Sequence, residues 1–298
     1  MATLKEVKTK IGSVKKTKQI TKAMNMVATS RLRGAQQNMD RFRPYAEKFE
    51  EVLGSLAEKS GEEASPLLVP KEEVEKVHIV LCTSDRGLCG GFNMNLITKA
   101  AELHEEKAGE NLEISFTNFG KKGRDWCRNK KMDRISEHLG IVGATFGFNV
   151  ASTAASSLVE GFLSGSYDEV YVVYSEFVSM AKQVPIAKQI LPITSVESSE
   201  PKDKGDEDAP YLAEHICEPP AAELLGILLP KNVSVQLFSA LLETSTSEHA
   251  ARMMAMDNAT NACSDMIDEL TLAYNKARQA AITAELMDIV GGAEALKG

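Results

Sequence analysis

Cysteine is scarce and badly spaced for chemistry: Cys82, Cys89, Cys127, Cys217 and Cys263 form no C-x-x-C pair, and their number is odd. That argues against a zinc site or a disulfide framework and fits a reducing compartment. The histidines His78, His104, His138, His215 and His249 make neither H-E-x-x-H nor H-x-x-x-H, so no metal is expected. There is no G-x-x-x-x-G-K-[ST] phosphate loop and no G-x-S-x-G nucleophile turn. Aromatics make up only 6% of the chain, with one Trp, which suits long helices better than a β-sandwich. No run approaches the roughly 18 uninterrupted apolar residues of a membrane span. The start, Met1-Ala2-Thr3-Leu4-Lys5, has neither an apolar signal core nor an Arg/Ser-rich presequence. A soluble chain, unexported or already processed, is expected.

What is present supports a folded protein with an uneven charge. The 298 residues are 43% hydrophobic and 26% charged, enough for a core. The net charge is −8, yet residues 1–48 hold twelve basic side chains and only three acids, Glu6, Asp40 and Glu47. A basic end on an acidic chain points to an acidic partner, a nucleic acid or a membrane surface; a solvated helix face is the plainer alternative.

Residues 1–60 read as one helix. Leu4, Val7, Ile11 and Val14 are spaced 3-4-3. After a polar patch at Lys18 and Thr21 the stripe resumes through Met24, Ala28, Leu32, Ala35, Met39, Phe42, Ala46, Phe49, Leu53 and Leu56. Such a sustained three–four alternation is a coiled-coil seam, with Pro44 expected to bend or briefly break it. About 55 helical residues span roughly 80 Å, too long to be buried within this chain alone. Residues 60–75 read as a linker.

The period then changes. Val77–Cys82, Leu112–Phe119 and Glu169–Tyr174 read as strands, and Lys188–Ile193 as an edge strand beside Pro185 and Pro192. Helices are expected at Asn93–Lys107, Lys121–Asn129 and Asn149–Leu163. The alternation predicts a small, partly parallel α/β domain over 76–196. Residues 197–210 are acidic and poor in apolar side chains, and are expected to be a disordered loop. Residues 211–290 read as helical, opened at Pro219-Pro220 and restarted at Pro230 as a first-turn residue. The second seam runs Met253, Met256, Thr260, Cys263, Ile267, Leu270, Tyr274, Ala277, Ala281 and Ala284, ending near Gly291-Gly292. The predicted fold is therefore an antiparallel coiled coil of the two terminal helices with an inserted small, Rossmann-like α/β domain.

The segment Ser84-Asp85-Arg86-Gly87-Leu88-Cys89-Gly90-Gly91-Phe92-Asn93 follows a strand and precedes a helix, where phosphate loops sit. It lacks their glycine spacing, and a tight turn carrying an exposed Arg is the better reading. The basic helix shows no interleaved aromatics and no nucleic-acid module.

Three segments resemble the gamma-subunit family of F-type ATP synthases. They are Lys10–Met24 with Met26-Val27-Ala28 and Leu32-Arg33; the Ser84–Asn93 loop; and Ala251–Thr260 with Tyr274–Ala280, Ile282-Thr283 and Glu285-Leu286. The likeness covers essentially the whole chain. It implies a rotor shaft of two antiparallel helices inside a ring of alpha and beta subunits. The α/β domain would form a foot beside the epsilon subunit and the c-subunit ring. It implies no catalysis, cofactor, metal, nucleotide or nucleic acid on this chain. Arg278 and Gln279 match positions that contact a beta-subunit loop, and Met24, Arg252 and Thr283 match positions that affect coupling. Glu218 matches a foot residue, although Ile216-Cys217 replace the family's aromatic flank. The paired-cysteine insert of chloroplast relatives is missing, and loop 197–208 looks like an insertion. The implied location is peripheral, on the cytoplasmic face of a bacterial plasma membrane, or the matrix side for a processed eukaryotic chain. Two alternatives stay open: a nucleotide-binding α/β enzyme with helical extensions, and a nucleic-acid-binding coiled-coil scaffold.

Overall fold

The computed structural model describes residues 4–60, 65–71, 73–109, 112–193 and 220–295. The chain divides into two compact units, residues 30–251 and residues 1–29 with 252–298. The long helices α1 (Leu4–Ser60) and α5 (Ala221–Ala295) each contribute to both.

In the unit of residues 30–251, α1 leads into β1 (Lys76–Cys82), α2 (Phe92–Ala108), β2 (Glu113–Phe119) and α3 (Lys121–Asn129). Then come β3 (Asp133–His138), α4 (Phe148–Leu163), β4 (Glu169–Phe177) and β5 (Gln183–Leu191). The sheet order is β3-β2-β1-β4-β5, with the first four strands parallel and β5 antiparallel to β4. β1 is buried on both faces from Val77 to Cys82, which is why it reads as a near-continuous apolar run and not an alternation. Val77, Ile79 and Leu81 meet Phe92, Leu96 and Ala100 of α2 and Cys127 of α3. Val80 and Cys82 point the other way, into a core built by Ala151, Ala155 and Leu158 of α4, Leu225 to Leu241 of α5, and Met39 and Leu53 of α1. Each fully buried Leu in that layer contributes roughly 1.5–3 kcal/mol. His78 is the polar exception in β1. Its ring sits between Ser115 Oγ (2.7 Å) and Thr117 Oγ1 (2.9 Å), and burial lowers its pKa to about 4, leaving it neutral at pH 7.

Several expectations need correction. Neither proline interrupts its helix: α1 runs through Pro44, and α5 is one helix through Pro230. A proline deprives the carbonyl four residues earlier of its donor. Here those carbonyls belong to Asp40 and Gly226, both exposed, where water can serve instead. Gly291-Gly292 do not end α5, which continues to Ala295. The strand β3 was not anticipated, because Asp-Arg-Ile-Ser-Glu-His is a polar edge strand with no apolar alternation. The stretch read as a linker includes buried Leu67 and Leu68, and Leu67 O accepts from Ile193 N at 2.8 Å. α5 holds no uninterrupted apolar run of that length, yet one stretch passes by length and mean hydropathy as able to cross a membrane, and more than half of it is buried in the protein. The acidic segment 197–210 lies outside the described residues.

In the other unit, the start of α1 pairs with the second half of α5. Thr21 Oγ1 and Thr260 Oγ1 are 2.8 Å apart, and Asn25 Nδ2 donates to Met253 O at 3.0 Å. Partner numbers fall as α1 advances, so the pair is antiparallel. Every seam position from Met253 to Ala281 is buried or half-buried, while the positions between are mostly exposed.

Candidate functional site

Two places invite a functional reading. The first is the glycine loop after β1, at the carboxyl ends of the parallel strands, where open α/β sheets usually hold ligands. Its polar groups are turned on one another. Ser84 N donates to Asn93 Oδ1 (3.0 Å), and Ser84 Oγ donates to Arg86 O (2.6 Å). Asp85 takes the N–H of Lys121 at the start of α3 (3.0 Å) and that of Gly140 (2.9 Å). The loop's own carboxylate thus occupies the amide at the start of α3. Gly120 crosses directly over the Thr83 carbonyl with φ 100°, leaving no room for a Cβ. Arg86 and Leu88 are exposed, and Leu88 has φ 64°. The loop is a braced turn with Arg86 and Leu88 exposed on it.

The second place is the helix pair. The structure puts the expected residues in two groups. Met24 and Arg252, both half-buried, flank the Asn25–Met253 contact and so share one level of the pair. Arg278, Gln279 and Thr283 lie on α5 roughly 40 Å further along at 1.5 Å per residue. All three are exposed, and Thr283 Oγ1 donates to Gln279 O (3.0 Å). Counting back from Thr21–Thr260, Leu4 comes level with Ala277, so no described residue of α1 reaches the α5 segment beyond it. From Ile282 to Ala293 every residue is exposed, among them Leu286, Met287, Ile289 (69%) and Val290, and Leu272 is 72% exposed. Such apolar exposure around a helix marks a surface made for a partner. Glu218 lies outside the described residues.

The polar bolts Thr21–Thr260 and Asn25–Met253 were not foreseen from the sequence, where Thr21 reads as a polar gap in the seam. The signal was present: a Thr in the second seam at a position that an antiparallel alignment sets opposite Thr21. Among the described residues no three His, Cys, Asp or Glu side chains gather to hold a metal. Cys82, Cys127 and Cys263 are free thiols, and burial pushes the Cys127 thiol up to about 11.

Comparison with known proteins agrees on one family. The ATP synthase family model matches residues 3–296. The ATP synthase gamma chain of Desulfosudis oleivorans is 68% identical, with all of both chains covered. That of Desulforapulum autotrophicum is 62% identical over 99% of this chain and 100% of its own. Among solved structures, the rotor of the Euglena gracilis mitochondrial ATP synthase superposes with a TM-score of 0.64 at 20% identity, covering 94% of this chain and 98% of that one. Matched along nearly its whole length, the chain belongs to the ATP synthase gamma chain family.

Proposed function

We infer that this chain is the central rotor shaft of an F-type ATP synthase and that its helix pair transmits torque without doing chemistry. The observation that carries this is the α5 segment from Ile282 to Ala293, exposed throughout and carrying Leu286, Met287, Ile289 and Val290, an apolar surface that an enclosing sleeve would cover. A ring of alternating alpha and beta subunits supplies that sleeve. The epsilon subunit and the c-subunit ring are the partners of the α/β unit. Proton flow turns ring and shaft together, and the shaft's uneven surface takes the three beta sites through their binding states in turn. The chain is peripheral to the membrane as part of the complex, and we place it on the cytoplasmic face of a bacterial plasma membrane.

Within this reading Arg278 and Gln279 hold a beta-subunit loop at one rotary angle. Arg offers a planar fork of donors for a carboxylate, and Gln both donor and acceptor. Thr283 supports them by bonding back to the Gln279 carbonyl. Met24 and Arg252 act as coupling positions at the lower level, and Glu218 as a foot contact. Losing a charge-assisted contact costs about 1.5–3 kcal/mol, about tenfold to over a hundredfold in rate if it assists the limiting step. Arg278→Ala with Gln279→Ala should leave the chain folded and assembled but slow ATP hydrolysis by the reconstituted alpha–beta–gamma complex by that factor. Wild-type turnover would remove these side chains from the site.

A further inference from the structure

The helix α1 enters the unit of residues 30–251 at Ser30, and α5 leaves it at Ala251. Within a turn of those two points both helices close on one glycine. Arg31 Nη1 of α1 donates to Gly143 O at 3.2 Å. The buried Glu248 of α5 sets its carboxylate so close to Gly143 that a Cβ would not fit. At φ 82° the backbone of Gly143 favours glycine as well.

Gly143 belongs to the connection of residues 139–147 between β3 and α4, which is anchored in this unit by other contacts. Gly140 N donates to Asp85 Oδ2 in the loop after β1 (2.9 Å). Val142 is buried in the core beneath that face of the sheet. Phe146 meets Phe238 of α5 edge to face, their ring centres 5.8 Å apart. One short connection therefore touches the sheet unit, α1 and α5 where the two helices pass out of it. Apolar packing sets how close helices lie but has no direction, whereas an aligned hydrogen bond and a steric stop also resist their turning.

We propose that the 139–147 connection is the joint through which torque crosses between the α/β unit and the shaft, with Arg31, Gly143 and Glu248 as its positioning residues. This rests on the shaft reading and adds the place in the chain where the load passes. With the joint loosened, the α/β unit twists against the helix pair under load.

A single-molecule rotation assay on the alpha–beta–gamma complex tests it, the ring fixed to a surface and a bead held by a biotin tag at exposed Lys130. During pauses the ring holds the helix pair, and the variance of the bead's angle is inverse to the torsional stiffness below it. Gly143→Ala, which pushes the connection off Glu248, should widen that variance about twofold, one of two helix holds being lost. Arg31→Gln, at an exposed position, should widen it by a smaller factor. Arg31→Lys keeps a cation for the Gly143 carbonyl and should stay near wild type, a rescue that a general loss of stability would not give. Should Gly143→Ala fail to assemble, the two Arg31 variants decide. Wild-type variance in Gly143→Ala and Arg31→Gln overturns the proposal, whereas a wild-type bead that never turns overturns the shaft reading itself.

Discussion

Residues 30–251 close a core of their own, whereas the helix pair of residues 4–29 and 252–295 closes only a seam. In the first unit, leucines such as Leu225, Leu229, Leu237 and Leu241 are wholly buried on a sheet covered on both faces. In the second, seam positions are mostly half-buried and rich in Ala, Thr and Met, while Leu272, Leu286 and Ile289 face outward. One unit is stabilised by its own packing. The other is a surface whose apolar content makes sense only against another protein.

The contrast can be broken by truncation. Leu241→Ala, at a site with no exposure, should destabilise the isolated chain by about 2–5 kcal/mol. Leu272→Ala, of the same chemistry, should stay within about 0.5 kcal/mol. Urea unfolding followed by circular dichroism compares them, and equal losses would abolish the distinction. A second test uses pH. Burial lowers His78 to about 4 from 6.5, so the unfolded chain takes up its proton first as pH falls. The stability from the neutral ring is intact above pH 6.5 and declines toward pH 4, by roughly 3 kcal/mol in all. His78→Gln should flatten that part of the profile, and an unchanged slope would locate the acid sensitivity elsewhere. The smallest effect belongs to the helix pair. Thr21→Val should cost at most about 1 kcal/mol by removing the contact to Thr260, whose hydroxyl keeps its bond to Met256 O (2.7 Å), and the same change made on top of Thr260→Val should cost less. Additive losses would mean that the two hydroxyls do not act as a pair.

The long seams were legible because a three–four alternation kept up over many turns suits little besides a coiled coil, and β1 because it is apolar throughout. β3 was not, since an edge strand such as Asp133–His138 has no buried alternation to show. Pro44 and Pro230 misled because the rule treats proline as a break, while an exposed carbonyl four residues earlier lets a strongly packed helix continue. Arg278 and Gln279 could be placed outward by counting from Ala277 and Ala281. That the helix runs on unpaired past them required the register that Thr21 and Thr260 define.

The central claim, that the far part of α5 is built to be enclosed, is tested most directly by amide hydrogen exchange. The full-length chain would be compared free and assembled with alpha and beta subunits. Residues 278–295 should exchange readily in the free chain and become strongly protected on assembly, while strands β1 and β4 are protected alike in both. Equal exchange of 278–295 in the two states would contradict the account.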